Sequence, residues 1–147
     1  AAAGIQAIDT LTRKLARDGG RRYRVFTDRV AADIEGLADR HELAGIREPL
    51  SEAFAILQRT SREILQTLAT TPRDALAGAA AYQRLAAIVA IGWMWLRMAS
   101  VDETGDKRAT AAVFAERILP GCAALAAEAR AGSTELFALP LAGFAPR

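Results

Sequence analysis

The chain has 147 residues, the size of one domain that can bury an apolar core without disulfides or metals. Hydrophobic residues, largely alanine, make up 52% of the chain while Gly and Pro are sparse, so the composition predicts an all-α fold, an antiparallel bundle of about four to five helices. A net charge of +2 does not require nucleic acid as a partner, and the single Cys122 excludes an internal disulfide, which favours a reduced, cytoplasmic location.

The first two predicted helices are separated by a pair of glycines. Helix one runs from about Gly4 to Arg17 and ends at Asp18-Gly19-Gly20, where glycine can adopt the left-handed conformation that closes a helix. Helix two follows from about Arg21 to Arg40, because apolar residues recur there at helical spacing. This stripe consists of Phe26, Val30, Ile34 and Leu37.

Helix three is predicted from about Arg47 to Ala69. Pro49 then falls in its first turn, where the missing N–H of proline is tolerated. The apolar residues of this helix recur in a 4-3 pattern typical of a bundle seam. They are Leu50, Phe54, Leu57, Ile64 and Leu68, with Ser61 at the remaining position.

Helix four is predicted from Thr71 to about Ser100. Thr71 as N-cap, Pro72 at the first helical position and Asp74 three residues after the cap together resemble a capping box. The apolar run from Leu85 to Leu96 is twelve residues long and spans roughly 18 Å as a helix, against ~30 Å for a bilayer core, so no membrane span is expected.

Two tryptophans in this helix lie on different faces. Trp93 and Trp95 are two positions apart, which is about 200° around a helix. We therefore expect one indole to fill the core and the other to lie at a seam with a partner.

Helix five is predicted from about Asp106 to Ala131, after the polar loop VDETG. Pro120 lies inside it and should kink it near Glu116. Its inner stripe is predicted to consist of Phe114, Ile118, Cys122, Leu125 and Ala129. The tail that follows carries apolar residues that predict docking onto the bundle: Leu136, Phe137, Leu139 and Phe144.

The chain offers few residues with catalytic potential. It has no phosphate-binding glycine loop, no zinc-ligand spacing and no nucleophile elbow, so no metal site is expected. His41 is interpreted as a solvated cap at the end of helix two, and Cys122 as a small apolar residue. The basic cluster Arg13, Lys14, Arg17, Arg21, Arg22 and Arg24 could meet a phosphate or an acidic neighbour, but a solvated face or inter-domain salt bridges are expected for it. Solvated faces are also expected for Glu35, Glu42, Glu48, Glu52 and Glu63.

Three blocks of the chain resemble one enzyme family. GIQAIDTLTRKLARDGG resembles the end of the catalytic region of flavin-dependent acyl-CoA dehydrogenases, where a Tyr-Glu-Gly-Thr-Asn-Gly-Ile-Gln motif leads into a helix ending in Arg-Lys. Gly4, Ile5 and Gln6 match the last motif positions, and Arg13 and Lys14 match the pair. AYQRLAAIVAIGWMWLRMA and KRATAAVFAERILPGCAALAAEARAG resemble the C-terminal helical domain of the larger branch, which includes methylmercaptopropionyl-CoA dehydrogenase-like enzymes.

The resemblance implies a non-catalytic accessory domain. Residues 1–20 would end the last helix of the catalytic region, and residues 21–147 would form a bundle that packs against the β-barrel and helical catalytic domains and within a homo-oligomer. The family's catalytic base is a glutamate that aligns just before Ala1, so the chain is expected to lack it. Gly4, Ile5 and Gln6 would be a remnant of the flavin-site edge, with FAD and acyl-CoA bound only by the complete enzyme.

A second hypothesis remains open at this point. The same helices could form a stand-alone all-α ligand-binding or dimerisation module, such as the effector domain of a transcription regulator, with apolar helix four as interface or pocket wall. The opening block favours the first hypothesis, because a regulator would not need its motif-like content. A Tyr-Glu-Gly-Thr sequence encoded directly upstream would discriminate the two from a helix-turn-helix.

Overall fold

The computed structural model of the chain describes residues 2–138, which are helical and contain no strand. An all-α fold is therefore confirmed for this part of the chain. The helices are α1 (Ala2–Asp9), α2 (Arg21–Gly36), α3 (Ala44–Thr70), α4 (Pro72–Ala77), α5 (Ala79–Ser100), α6 (Asp106–Arg117) and α7 (Cys122–Ala129). At the centre of the bundle, α5 contacts α1, α3, α6 and α7, and the core lies along these contacts.

The first predicted helix is present but irregular. After α1 the backbone widens into a π-helical stretch, Thr10–Leu15, in which the N–H of Ala16 reaches back five residues to the Leu11 carbonyl. A 3-10 turn follows and ends at Gly20, whose φ of 75° is left-handed, as predicted for the glycine pair. The widened turns keep Ala7, Leu11 and Leu15 buried on one side.

The end of α2 corrects two predictions. The helix stops at Gly36 instead of Arg40, because the N–H groups of Ala38 and Arg40 bond three residues back in a turn. His41 therefore does not cap α2. It is exposed and begins a 3-10 turn, His41–Leu43, which leads directly into α3.

The start of α3 also differs from the prediction. The helix begins at Ala44, so Pro49 lies inside it and not in its first turn. Proline at this position removes the backbone hydrogen bond that residue 49 would donate to the Gly45 carbonyl, and its ring crowds that carbonyl. The predicted seam is confirmed, since Leu50, Phe54, Leu57, Ser61 and Ile64 are buried and Leu68 packs against them.

Predicted helix four is divided at Gly78 into α4 and α5. A Cβ atom at Gly78 would lie 1.9 Å from the carbonyl oxygen of Ala129, so the α7 backbone passes where a side chain would be.

The predicted capping box is wrong. The N–H of Asp74 donates to the backbone carbonyl of Thr71 at 3.0 Å, and the Thr71 side chain makes no capping bond. Backbone geometry, with Pro72 at the first position, starts this helix.

Predicted helix five is divided by Pro120. The expected kink near Glu116 is instead a break, with a 3-10 turn at Leu119–Gly121 between α6 and α7. The break changes the helical phase, so Leu119 is buried while Ile118 is 42% exposed, which corrects Ile118 as an inner-stripe residue. Cys122, Leu125 and Ala129 are buried and Phe114 packs against the core, as predicted.

The tail is attached by polar contacts. The Ser133 N–H and hydroxyl both donate to Asp74 Oδ1, at 3.0 and 2.6 Å. Leu136 and Phe137 are 67% and 61% exposed, so the prediction that their apolar side chains dock is wrong for them, although the Arg73 guanidinium lies 3.7 Å from the Phe137 ring centroid. The other two predicted docking residues, Leu139 and Phe144, lie outside the described residues.

Within residues 2–138, two stretches have the length and apolar composition of a bilayer-spanning helix, α5 and Asp106–Ala129. The length estimate rested on the apolar run of twelve residues, whereas the whole helix α5 has 22 residues. The evidence for a span is weak, because a core helix passes the same test and α5 buries Tyr82, Leu85 and Val89. The absence of a membrane span stays a prediction.

Candidate functional site

The residues assigned to the flavin-site edge lie on an exposed part of α1. Gly4 and Gln6 are exposed, and Ile5 is 71% exposed. Ala7, the next residue, faces the bundle. None of the three assigned residues lines the clefts described below. Their role in binding flavin stays a prediction.

Metal and nucleophile chemistry is not indicated within residues 2–138. No group of three His, Cys, Asp or Glu side chains in this range could hold a metal ion. Cys122 is fully buried, and this burial raises the pKa of its thiol to about 11, so the thiol stays protonated at neutral pH. Four of the five glutamates are exposed as expected, and the fifth, half-buried Glu63, pairs with Arg130 at 2.9 Å.

The most distinctive site is an apolar cleft of about 430 Å³ that opens to solvent. It lies where the π-helical stretch, α2, α3 and α5 converge. We call it the tyrosine cleft, because two tyrosines contribute to it. Its walls are Thr10, Lys14, Leu15, Arg22, Tyr23, Phe26, Leu57, Tyr82, Ala86 and Ala90.

One lining residue of the tyrosine cleft, Tyr82, belongs to a buried polar pair with Ser61. Ser61 donates to the Leu57 carbonyl at 2.7 Å, and its Oγ lies 2.8 Å from the Tyr82 hydroxyl. Burial raises the pKa of Tyr82, and the neighbouring Tyr23 adds to the shift. These groups are therefore neutral hydrogen-bonding groups at physiological pH.

Tyr23 differs from Tyr82 in its hydrogen bonding. Its hydroxyl is buried and has no hydrogen-bond partner within residues 2–138. Burial raises the pKa of Tyr23, while Ser61 lies near enough to oppose this shift without meeting the phenol in hydrogen-bond geometry. An unsatisfied buried hydroxyl costs folding free energy, about 1–3 kcal/mol in general.

A basic cavity of about 350 Å³ adjoins the tyrosine cleft. Its walls are Arg13, Lys14, Arg17, Arg21 and Arg22, and Lys14 and Arg22 belong to both cavities. Arg13 also pairs with Asp9 at 2.7 Å. The basic cluster, predicted as a solvated face, thus lines a concave surface beside an apolar one. Arg24 does not line this cavity.

Phe26, in the wall of the tyrosine cleft, contacts α5 through Trp93. The indole N–H donates to Asp33 Oδ2 at 2.6 Å, and the ring packs edge-on against Phe26 with centroids 5.8 Å apart. Arg97 lies over the same indole at 5.4 Å and pairs with Asp33. Trp93 and Trp95 are both half-buried and both pack against the core, while Leu96 and its neighbours Gly92 and Ala99 occupy the fully buried face. The seam of one indole with a partner stays a prediction.

A second groove, of about 710 Å³, runs between α2 and the end of α5. Met94, Met98 and Val101 are 38%, 39% and 80% exposed there, which gives α5 an apolar face toward solvent. Asp33 and Arg97 also line this groove. It is the described surface that best matches the predicted seam with a partner.

The described residues form a helical domain with two adjoining cavities and an apolar groove on its surface. The family model for acetyl-CoA dehydrogenase C-terminal-like domains matches residues 26–140. The chain therefore belongs to this family and is a C-terminal domain of the acyl-CoA dehydrogenase type.

A curated relative agrees with this assignment. The chain is 35% identical over 133 residues to 3-methylmercaptopropionyl-CoA dehydrogenase of Ruegeria pomeroyi (strain ATCC 700808 / DSM 15171 / DSS-3). The match covers 82% of this chain and 22% of that protein, so the chain spans about a fifth of the length of the relative.

Proposed function

We propose that the chain is the accessory domain of a flavin-dependent acyl-CoA dehydrogenase, which packs against the catalytic region and is not catalytic by itself. The observation that carries the proposal is the family match over residues 26–140 together with a relative that is much longer than this chain. In the complete enzyme the reaction would be α,β-dehydrogenation of an acyl-CoA, a step in fatty acid metabolism carried out in the cytoplasm.

The proposed domain boundary lies near residue 20. Residues 1–20 would continue the catalytic region, and residues 21–147 would form the accessory bundle. The left-handed Gly20 separates the irregular first helix from α2, which supports a division at this point. The family match beginning at residue 26 is consistent with it.

The flavin would belong to the preceding region. Gly4, Ile5 and Gln6 lie on an exposed helical face and line neither cleft, so they do not by themselves form a site that fits FAD. At most they would complete the edge of a site built elsewhere. No catalytic step is assigned to this chain.

The groove between α2 and α5 is the proposed packing surface. Its exposed methionines and Val101 are apolar and adaptable in shape, which suits contact with the catalytic region or with a second subunit of a homo-oligomer. Half-buried Trp95 would lose further exposure on assembly. Analytical ultracentrifugation with Met98→Glu tests this surface, with exposed Val113→Glu on α6 as the matched control.

Purified residues 1–147 test the accessory-domain proposal. The chain should be colourless, helical by circular dichroism and inactive toward acyl-CoA with an artificial electron acceptor. The reason is that a general base must lie within hydrogen-bonding reach of the proton that it removes, and no described carboxylate lines the tyrosine cleft. Stoichiometric flavin or turnover of an acyl-CoA would overturn the proposal.

A further inference from the structure

We propose that the exposed face of α5 is a dimer interface, at which a second copy of this chain packs with its own α5 antiparallel to the first. This interface rests on the packing surface proposed above and gives it one partner in one orientation.

Helix α5 carries two apolar seams on opposite sides. Its buried residues recur at spacings of three and four, and exposed apolar residues recur at the same spacings two positions further on. The buried seam is Tyr82, Leu85, Val89, Gly92, Leu96 and Ala99. The exposed seam, which we call the outer seam, is Ala87, Ile91, Met94, Met98 and Val101. A shift of two positions is about 200° around a helix, so the seams lie on opposite faces.

The outer seam has the spacing of a helix–helix contact. An apolar repeat of four and three residues is the pattern with which one helix packs along another at a small crossing angle. Helices α3, α6 and α7 contact α5, yet the four larger side chains of the outer seam remain 38–80% exposed. A helix that is apolar on both sides is typically buried on both sides, so the outer seam indicates a further helix.

Charges at the two ends of the outer seam select a second copy as the partner. Between Ala87 and Val101 the only charged residue is Arg97, which is paired with Asp33. Exposed Arg84 lies one turn before Ala87, and exposed Glu103 lies two residues after Val101. Antiparallel copies bring Arg84 of each chain toward Glu103 of the other, whereas parallel copies bring like charges together. The charges therefore favour the antiparallel dimer.

Side-chain sizes along the outer seam fit the same arrangement. When two copies are centred on Met94, the small Ala87 faces the larger Val101 of the second chain. Methionine side chains adapt their shape to such a contact. Beside the outer seam, Ala32 and Gly36 of α2 line the groove, and a Cβ at Gly36 would meet nothing within 4 Å, which leaves room for a second helix.

Sedimentation velocity over a concentration series tests the dimer. The chain of 147 residues should associate reversibly to a dimer, and Met94→Glu should weaken this association at least about tenfold, because it buries a charge at the centre of the interface. Val113→Glu makes a similar change at an exposed position of α6 and should leave the association unchanged. Circular dichroism checks that both variants fold.

Cysteine cross-linking tests the orientation. Met94→Cys should form a disulfide-linked dimer, because residue 94 meets its own copy. Val101→Cys should not, because its two copies would lie about 21 Å apart along the helices, but a mixture of Ala87→Cys and Val101→Cys chains should cross-link. The unmodified chain, whose single Cys122 is buried, is the control. Cross-linking of Val101→Cys with itself, and not with Ala87→Cys, would overturn the antiparallel arrangement.

A charge exchange tests the contact at the ends of the outer seam. Arg84→Glu should weaken dimerisation, and adding Glu103→Arg should restore it. Both variants lose the pair that Arg84 makes with Glu128 in its own chain, so the restoration reports the contact between copies alone. Glu52→Arg, at an exposed position of α3, is the control and should not restore the dimer when combined with Arg84→Glu.

Methionine oxidation measures cover of the outer seam directly. Met94 and Met98 are the two methionines of the chain, and both lie in this seam. Their oxidation by hydrogen peroxide, followed by mass spectrometry, should slow as the chain concentration rises through the dimerisation range.

A chain that stays monomeric at every concentration would overturn the dimer and leave the accessory-domain proposal standing, with the groove left for the catalytic region. A dimer that Met94→Glu does not weaken would overturn the placement of the interface. Neither result depends on whether the chain binds flavin or turns over an acyl-CoA, which are the outcomes that test the accessory-domain proposal.

Discussion

The two sides of the bundle are built differently. Helices α3 and α5 bury eight residues each and pack with α6 and α7 so closely that the backbone of Ala129 touches Gly78. On the other side, α2 buries three residues, the first helix widens into a π-helical stretch, and an open cleft remains between the elements. We call these the packed side (α3 to α7) and the cleft side (Ala2 to Gly36).

The difference concerns where space between the elements remains. Close packing removes the space that a ligand would need, while an irregular helix beside a sparsely buried one leaves a cavity and keeps charged groups near it. Unsatisfied buried polar atoms occur on both sides. Among the described residues they are the Tyr23 hydroxyl on the cleft side and Arg47 Nε and Thr60 Oγ1 on the packed side, where Ser61 and Tyr82 satisfy each other.

The close contact of Gly78 with Ala129 should make this point of the packed side sensitive to an added methyl group. Gly78→Ala would place a Cβ 1.9 Å from the Ala129 carbonyl oxygen, so we expect a loss of about 3 kcal/mol in the free energy of unfolding. Gly45→Ala is the control, because a Cβ there meets nothing within 4 Å, and it should be neutral or raise stability by up to about 1 kcal/mol. Urea denaturation measures both, and equal midpoints would contradict the close contact.

Removing a contact between the two sides should have an intermediate effect on stability. Asp33→Ala removes the acceptor of the Trp93 indole N–H, and we expect a loss of about 1–2 kcal/mol. Asp28→Ala removes the same kind of side chain from an exposed position on α2 and should change stability by less than about 0.5 kcal/mol. Tryptophan fluorescence follows both transitions. Equal losses of stability in Asp33→Ala and Asp28→Ala would mean that Trp93 does not hold α2 to α5.

Some of the fold could be predicted from the sequence, because the signals are local. Helix starts at Arg21, Pro72 and Asp106 agree with the structure, since glycine, proline and polar loops act within a few residues. The break at Gly78 could not be predicted, because its cause is the distant Ala129. Ile118 was assigned to the core because a kinked but continuous helix was predicted there. The turn at Pro120 instead brings Leu119 inward.

The candidate site was largely missed. The basic cluster was noticed, but its concave arrangement depends on the π-helical stretch and the turn before α2. The tyrosine cleft requires four elements to converge, which no local pattern indicates. Tyr23 and Tyr82 were the available signal, because phenols at positions facing a core need hydrogen-bond partners.

Acid should weaken the attachment of the tail to the packed side. The Ser133 hydroxyl and N–H donate to Asp74, and the Thr71 hydroxyl and Arg73 add to their effect, so its pKa lies below the ordinary value despite some opposing desolvation. A lowered folded-state pKa means that the contribution is complete above the unfolded pKa of about 4 and is lost as pH falls through the folded pKa.

Asp74→Asn tests this pH dependence. The variant should show a smaller fall in melting temperature between neutral pH and about pH 3 than the unmodified chain, because one carboxylate that favours the folded state at neutral pH is absent. Asp28→Asn, on exposed α2, is the control for loss of a carboxyl group. Parallel pH profiles for Asp74→Asn and the unmodified chain would contradict the assigned hydrogen bonds.

The smallest expected effect concerns Cys122. Its thiol is buried on the packed side and its pKa is about 11, so at about pH 8 we expect little reaction with iodoacetamide in the folded chain and rapid reaction in urea. Mass spectrometry measures the alkylated fraction. Rapid modification without denaturant would show that the packed side opens locally.

Hydrogen–deuterium exchange measured along the chain tests the contrast between the two sides most directly. We predict that amides in α3 and α5 exchange only when the whole domain unfolds, and that those of Thr10–Leu15 exchange much faster through local opening. Equal protection of both sides would contradict the difference in packing between them.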